Sequence, residues 1–254
     1  MSVGISYGLR GFKQGLREGY HSLRAPTISD KDCVLFLPLN SVSNRKVFDL
    51  SGYGNHGTVY GAVLRDIGEE YYLKFKGNLI KVGGRALYFY GDDYVEVPDS
   101  VSLDITNEIT IEAWIYRKEA NSRDLILDKY ESSTTYGYRL GIMHTNVLRL
   151  AANFGGDWSY IDSTRTVSSN QWVYVAVTYN NPNVNFYINE KNAGSGQKTG
   201  PINSGNNVLR IGNVAGGTFG PLDGLTALVR VYKGALSPRK IKEHFELERV
   251  IFGV

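Results

Sequence analysis

Residues 109–116 read Ile109-Thr110-Ile111-Glu112-Ala113-Trp114-Ile115-Tyr116. Successive side chains of an extended strand point to opposite faces. Ile109, Ile111, Ala113 and Ile115 therefore share one face, and Thr110, Glu112, Trp114 and Tyr116 share the other. One face is wholly aliphatic and suits a sheet–sheet interior. The other carries two large rings and one carboxylate.

Runs of this kind fill the chain on both sides. CVLFL at 33–37, GTVYGAVL at 57–64, ALYFY at 86–90 and YVEV at 94–97 precede it. DLILDKY at 124–130, YGYRLGIM at 136–143, VLRLAANF at 147–154, WSYIDS at 158–163 and WVYVAVTY at 172–179 follow. VNFYINE at 184–190, VLRIGN at 208–213 and ALVRVY at 227–232 complete the series. Turn residues separate them, as at Gly91-Asp92-Asp93, Asn180-Asn181-Pro182 and Gly216-Gly217. Many short strands without intervening helical patterns predict an all-β chain, a two-sheet antiparallel jelly-roll sandwich. One helix is predicted at the end, with Ser237 as N-cap, Pro238 in the first turn, and Ile241, Phe245 and Leu247 facing the sandwich.

Three zones follow: an N-terminal Gly- and Arg-rich arm at 1–29, a jelly-roll domain at 30–247, and an apolar C-terminal tail at 248–254. The 254-residue chain has 28 basic and 25 acidic residues. Its excess charge lies in the arm, where Arg10, Lys13, Arg17 and Arg24 face Glu18 alone. The balanced remainder argues against a nucleic-acid partner. Cys33 is the single cysteine, so no intrachain disulfide is expected. The start lacks an apolar core and a small-residue cleavage site, so a conventional secretory signal is not expected.

The segments LYFYGDDYVEVPDSVSLDITNEITIEAWIY, QWVYVAVTYNNPNVNFYINEK, VLRIGN and GALSPRKIKEH follow one another in an order that resembles the laminin G-like domains of the concanavalin A-like lectin/glucanase superfamily. Asp49-Leu50-Ser51-Gly52-Tyr53-Gly54-Asn55-His56-Gly57 is similar to the turn that opens such domains. The resemblance covers roughly residues 33–247. It implies the jelly-roll fold and core positions for Trp114 and Trp172. It also implies an acidic pair before the V-R-x-Y segment, where an aspartate helps bind calcium in relatives. Ala227 and Leu228 stand there instead, which removes the ligand the resemblance would supply.

Three chemistries compete for the polar residues. Glycosidases of this fold need paired carboxylates at short strand spacing, and the glutamates here are scattered. His21, His56, His144 and His244 show no metal-ligand spacing and read as surface or turn residues. Hydrolysis is therefore ranked last and the chain is read as a non-enzyme. Asp49, Asp92 and Asp93, with Asp99 and Asp104 nearby, are candidate metal ligands; tight-turn chemistry competes for the same residue types. No cofactor is required, and calcium is the one ion these carboxylates would suit. For glycans, Asn153, Phe154, Asp157, Trp158, Tyr160 and Tyr136 are candidates, since sugars stack on aromatic rings beside polar groups. The competing reading makes Phe154, Trp158 and Tyr160 strand-end packing residues.

In the arm, Leu9, Leu16 and Leu23 recur every seven residues, each followed by Arg10, Arg17 or Arg24. Phe12 and Tyr20 extend the same apolar stripe. Glycines at 4, 8, 11, 15 and 19 would each cost a helix roughly 0.8–1 kcal/mol. A free helix is not expected; a docking element is. The arginines could then meet carboxylates, phosphates or lipid headgroups. The expected function is a structural surface protein: a jelly-roll head held by its arm to a larger assembly, such as a homo-oligomer, a virus or phage shell, or a membrane surface. Virion or cell surface is the expected location. A lectin-like module using rim loops is the alternative.

Overall fold

The computed structural model describes residues 31–120, 122–130, 136–214 and 220–254. The arm residues named above, from Leu9 to Arg24, lie outside this set.

Two antiparallel sheets form the sandwich. The first, sheet A, runs in spatial order β14 (Lys191–Gln197), β13 (Asn183–Ile188), β12 (Trp172–Asn180), β7 (Glu108–Arg117), β16 (Gly224–Tyr232), β5 (Asn78–Phe89) and β4 (Val63–Phe75), with β1 (Cys33–Leu37) also paired to β16. The second, sheet B, runs β11 (Asp157–Thr166), β10 (Val147–Phe154), β9 (Tyr138–Ile142), β8 (Asp124–Asp128), β15 (Leu209–Ile211), β6 (Tyr94–Val97), β3 (Gly57–Tyr60) and β2 (Lys46–Val47). Among the described residues one α-helix, α1, spans Pro238–Phe252.

The alternation in β7 sorts its residues between two cores. Ile109, Ile111, Ala113 and Ile115 face sheet B in the central core. Trp114 enters a second core, between the outer face of sheet A, the β4–β5 hairpin and α1. There it stacks on Phe252 at 4.3 Å and Phe245 at 5.8 Å. Trp172 packs against the same core, 4.6 Å from Phe252. Ala227 and Leu228 lie at a bulge of β16 in this helix-covered layer. Their apolar character matches the cover that α1 and the hairpin provide.

Glu112 is buried on this face with its charge answered from three sides. It accepts from Tyr174 Oη at 2.6 Å and Arg230 Nε at 2.8 Å, and His244 Nδ1 lies 2.9 Å away. Arg230 also binds Glu248, whose Oε2 accepts from Trp114 Nε1 at 2.7 Å. This corrects the reading of His244 as a surface or turn residue: it lies inside the contact between helix and sheet. Ile241, Phe245, Glu248 and Ile251 continue the same stripe at helical spacing.

Residues 248–252 belong to α1. The helix continues through Phe252 and ends at Gly253, whose φ is 69°. The boundary drawn at 247 falls inside it, because Ile251 and Phe252 prolong the buried stripe by one turn. Gly83 makes room for that turn: a Cβ there would stand 2.7 Å from Ile251 Cγ2.

Candidate functional site

The outer face of sheet B carries an unbroken cross-strand row. Tyr160 of β11 lies opposite Ala151 of β10, and Ala151 opposite Arg139 of β9. The row continues through Asp128 of β8, Arg210 of β15, Glu96 of β6, Thr58 of β3 and Lys46 of β2. These are the outward positions of strands whose inward ones, such as Leu150, Leu140, Ile211 and Val95, fill the core.

Ion pairs order the row. Arg139 clamps Asp128 at 2.9 and 3.0 Å, and Arg210 holds Glu96 Oε2 at 2.8 and 2.9 Å. In the next row Arg149 clamps Asp162 at 2.6 and 2.7 Å. Each guanidinium also lies over a ring: Arg139 over Tyr130 at 4.7 Å, Arg210 over Tyr94 at 4.2 Å and Arg149 over Tyr160 at 3.5 Å. At the far edge Tyr94 stacks on Tyr60 at 4.6 Å, with Arg45 over Tyr60. Near the other edge Trp158 meets Tyr130 at 4.1 Å. The result is a strip of planar groups fixed by bidentate pairs and cation–π contacts.

The candidates at 153–160 divide by strand alternation. Trp158 and Tyr160 are on the outer face, with Tyr160 53% exposed. Asn153 shares that face but is buried, and its amide closes the 154–157 turn through Gly156. Phe154 points inward, edge-on to Tyr179 at 5.2 Å. Asp157 is exposed at the tip of the β10–β11 hairpin. Tyr136 is exposed next to Gly137, whose carbonyl accepts from the Asn153 amide. Gly137 is tight: a Cβ would stand 1.8 Å from the Lys129 carbonyl oxygen. Arg45, Tyr60, Tyr94, Glu96, Asp128, Tyr130, Arg139, Arg149, Asp162 and Arg210 were not singled out from sequence. Their signal was there as the polar half of each alternating strand.

Among the metal candidates, Asp49 is committed to its turn, accepting from the amides of Phe36, Ser51 and Asn55 at 2.8–3.0 Å. Asp93 accepts from the Tyr90 amide, and Asp92 is exposed. Asp99 and Asp104 do converge, on the buried ammonium of Lys129, at 2.8 and 2.9 Å. The Gly205 carbonyl completes that cage at 2.9 Å. Among the described residues no group of three or more His, Cys, Asp or Glu is arranged to hold a metal ion.

The sequence matches the profile of the concanavalin A-like lectin/glucanases superfamily over residues 89–242. This chain belongs to that superfamily. No curated protein matches it in sequence. Among solved structures, its superfamily fold is similar to domain 4 of AbnA, an extracellular arabinanase of Geobacillus stearothermophilus solved with arabinotriose. The two are 19% identical, the likeness covers 85% of this chain and 98% of that one, and the TM-score is 0.59. The binding domain of Paraclostridial Mosquitocidal Protein 1 is similar at 15% identity over 84% of this chain and 52% of that one, with TM-score 0.59. A botulinum neurotoxin type C structure, whose cell entry depends on two ganglioside molecules, is similar at 17% identity over 85% and 51%, with TM-score 0.57. The chain spans about half the length of the two toxin chains. These likenesses show the lectin-like jelly-roll fold.

Proposed function

We propose that this domain is a non-catalytic glycan-binding module, and that the outer face of sheet B around Trp158 and Tyr160 is its binding surface. The observation that carries the reading is the strip itself: exposed Tyr160 and half-buried Trp158, Tyr130, Tyr94 and Tyr60 beside paired guanidinium and carboxylate groups. A pyranose or furanose ring presents C–H groups to an aromatic face and hydroxyls to the polar groups around it. Because the strip is locked by its own ion pairs, little side-chain entropy remains to be lost on binding.

The carboxylates of the strip, Asp128, Glu96 and Asp162, are each held by an arginine, so the strip presents them as fixed polar groups beside the rings. Support also comes from relatives of the same fold, one solved with arabinotriose and one tied to gangliosides. The test is a glycan-array screen of the intact chain, followed by Trp158→Ala and Tyr160→Ala. Binding to a defined glycan, weakened at least about tenfold by either change, corresponds to the loss of roughly 1.4 kcal/mol of contact. Absence of binding to any glycan would remove the reading. Attachment through residues 1–29 to a virion or cell surface remains a proposal carried by the sequence of that segment.

A further inference from the structure

A second polar concavity lies on the opposite side of the sandwich. It is a groove of about 540 Å³ on the outer face of sheet A, beyond the start of α1. Two cross-strand rows make its floor: Thr178, Asn185 and Ser195, then Asn180, Asn183 and Gln197. The link from β16 to α1 makes one wall, through Ala235, Leu236 and Pro238.

That wall is fixed in place. The Leu236 amide donates to Thr110 Oγ1 at 2.9 Å, and that hydroxyl donates to the Gly234 carbonyl at 2.7 Å. Thr110 is paired across the sheet with Thr178 of the floor. The floor of the groove is thus held by the strand ladder, and its loop wall is tied to that ladder through Thr110.

Its chemistry is uniform. The lining contains no charged side chain. Gln197 Nε2 donates to Asn183 Oδ1 at 3.2 Å. The side chains of Asn180, Asn185 and Ser195 make no hydrogen bond among the described residues. Each amide offers a donor and an acceptor a fixed distance apart. Vicinal sugar hydroxyls have the complementary pattern, since each both donates and accepts. An anionic ligand would find no cation in the lining. Leu236 and Pro238 supply an apolar edge for ring C–H groups.

We infer that this groove is a second ligand site, which takes a neutral oligosaccharide segment through the Asn180, Asn185 and Gln197 amides. It stands on its own geometry, independent of the Trp158 face. Two sites on opposite sheets would let one domain hold two glycan strands.

The test is side-chain amide NMR on the ¹⁵N-labelled full chain, titrated to millimolar concentration with arabinotriose, cellotetraose and laminaritetraose. At least one of these sugars should shift the Asn180, Asn185 and Gln197 side-chain signals saturably. The doubly substituted Asn180→Ala, Asn185→Ala chain should melt as the parent does, since both sites are on the surface, and should lose at least about tenfold in affinity. Trp158→Ala with Tyr160→Ala should leave these shifts unchanged, which separates this site from the sheet B face. The inference is overturned if none of the three sugars moves the groove amides, if the shifts survive the Asn180 and Asn185 changes, or if 3′-sialyllactose moves them as strongly as the neutral sugars do.

Discussion

Glu112 is fully buried and three protein groups satisfy it: Tyr174, His244 and Arg230, the last also paired with Glu248. A buried ion network is costly to assemble and costlier to break, because removing one member leaves its partners charged and unpaired. Glu112→Ala should destabilise the chain by about 3–5 kcal/mol in urea unfolding. A loss under about 1 kcal/mol would mean that water reaches Arg230 in the folded state. Burial alone would raise the Glu112 pKa, but the charges of His244 and Arg230, with hydrogen bonds from His244 and Tyr174, hold it at about 2 against an ordinary 4.5. A carboxylate with a lower pKa in the folded state adds stability that is complete above the unfolded value and lost as pH falls through the folded one. Unfolding free energy should therefore decline as pH falls from 4.5 towards 2. The same titration on Glu112→Gln should show a shallower decline, and equal slopes would assign the acid sensitivity to other groups.

The decisive element is α1. It closes the second core, and its last turn packs Phe252 on both Trp114 and Trp172. Phe252→Ala should cost about 3–5 kcal/mol, the range for deleting a packed ring, as read from thermal or urea unfolding. A change within about 0.5 kcal/mol would mean that the final turn is not docked in solution. Strand alternation made β7, β10 and β12 legible in sequence, because each has a wholly apolar inner face. The β4–β5 hairpin was not legible over most of its length. Its first half carries exposed Arg65, Asp66, Glu69 and Glu70, and its apolar alternation begins only at Tyr71, under the helix. The strand β14, Lys-Asn-Ala-Gly-Ser-Gly-Gln, was missed for a related reason. A polar edge strand with two glycines has turn composition, and its pairing to β13 supplies what its own sequence lacks. The aromatic–arginine strip was legible only as single letters. Arg210 comes to lie over Tyr94 and opposite Asp128, which Arg139 clamps, through the strand order, which places β15 between β8 and β6.

For the whole molecule, the two cores and both sheets are built, among the described residues, from Cys33 onward. A chain lacking residues 1–29 should keep a single cooperative melt close to that of the parent. Loss of that transition would make the arm part of the fold. The outer face of sheet A is covered by α1 over β4, β5 and part of β12 and is open beyond it at the β12–β14 groove, while sheet B presents outward the rings and ion pairs proposed as the binding surface. Trp158 is the natural probe of that claim, because Trp114 is buried and Trp172 packs beneath Phe252, so only Trp158 belongs to the strip. The most direct measurement is the indole N–H spectrum of the ¹⁵N-labelled chain during titration with the best ligand from a glycan array. The Trp158 signal should shift saturably with the same dissociation constant as binding, while the Trp114 signal stays in place. A glycan that binds the Asn180→Ala, Asn185→Ala chain and leaves Trp158 unmoved would contradict the assignment of the binding surface to sheet B.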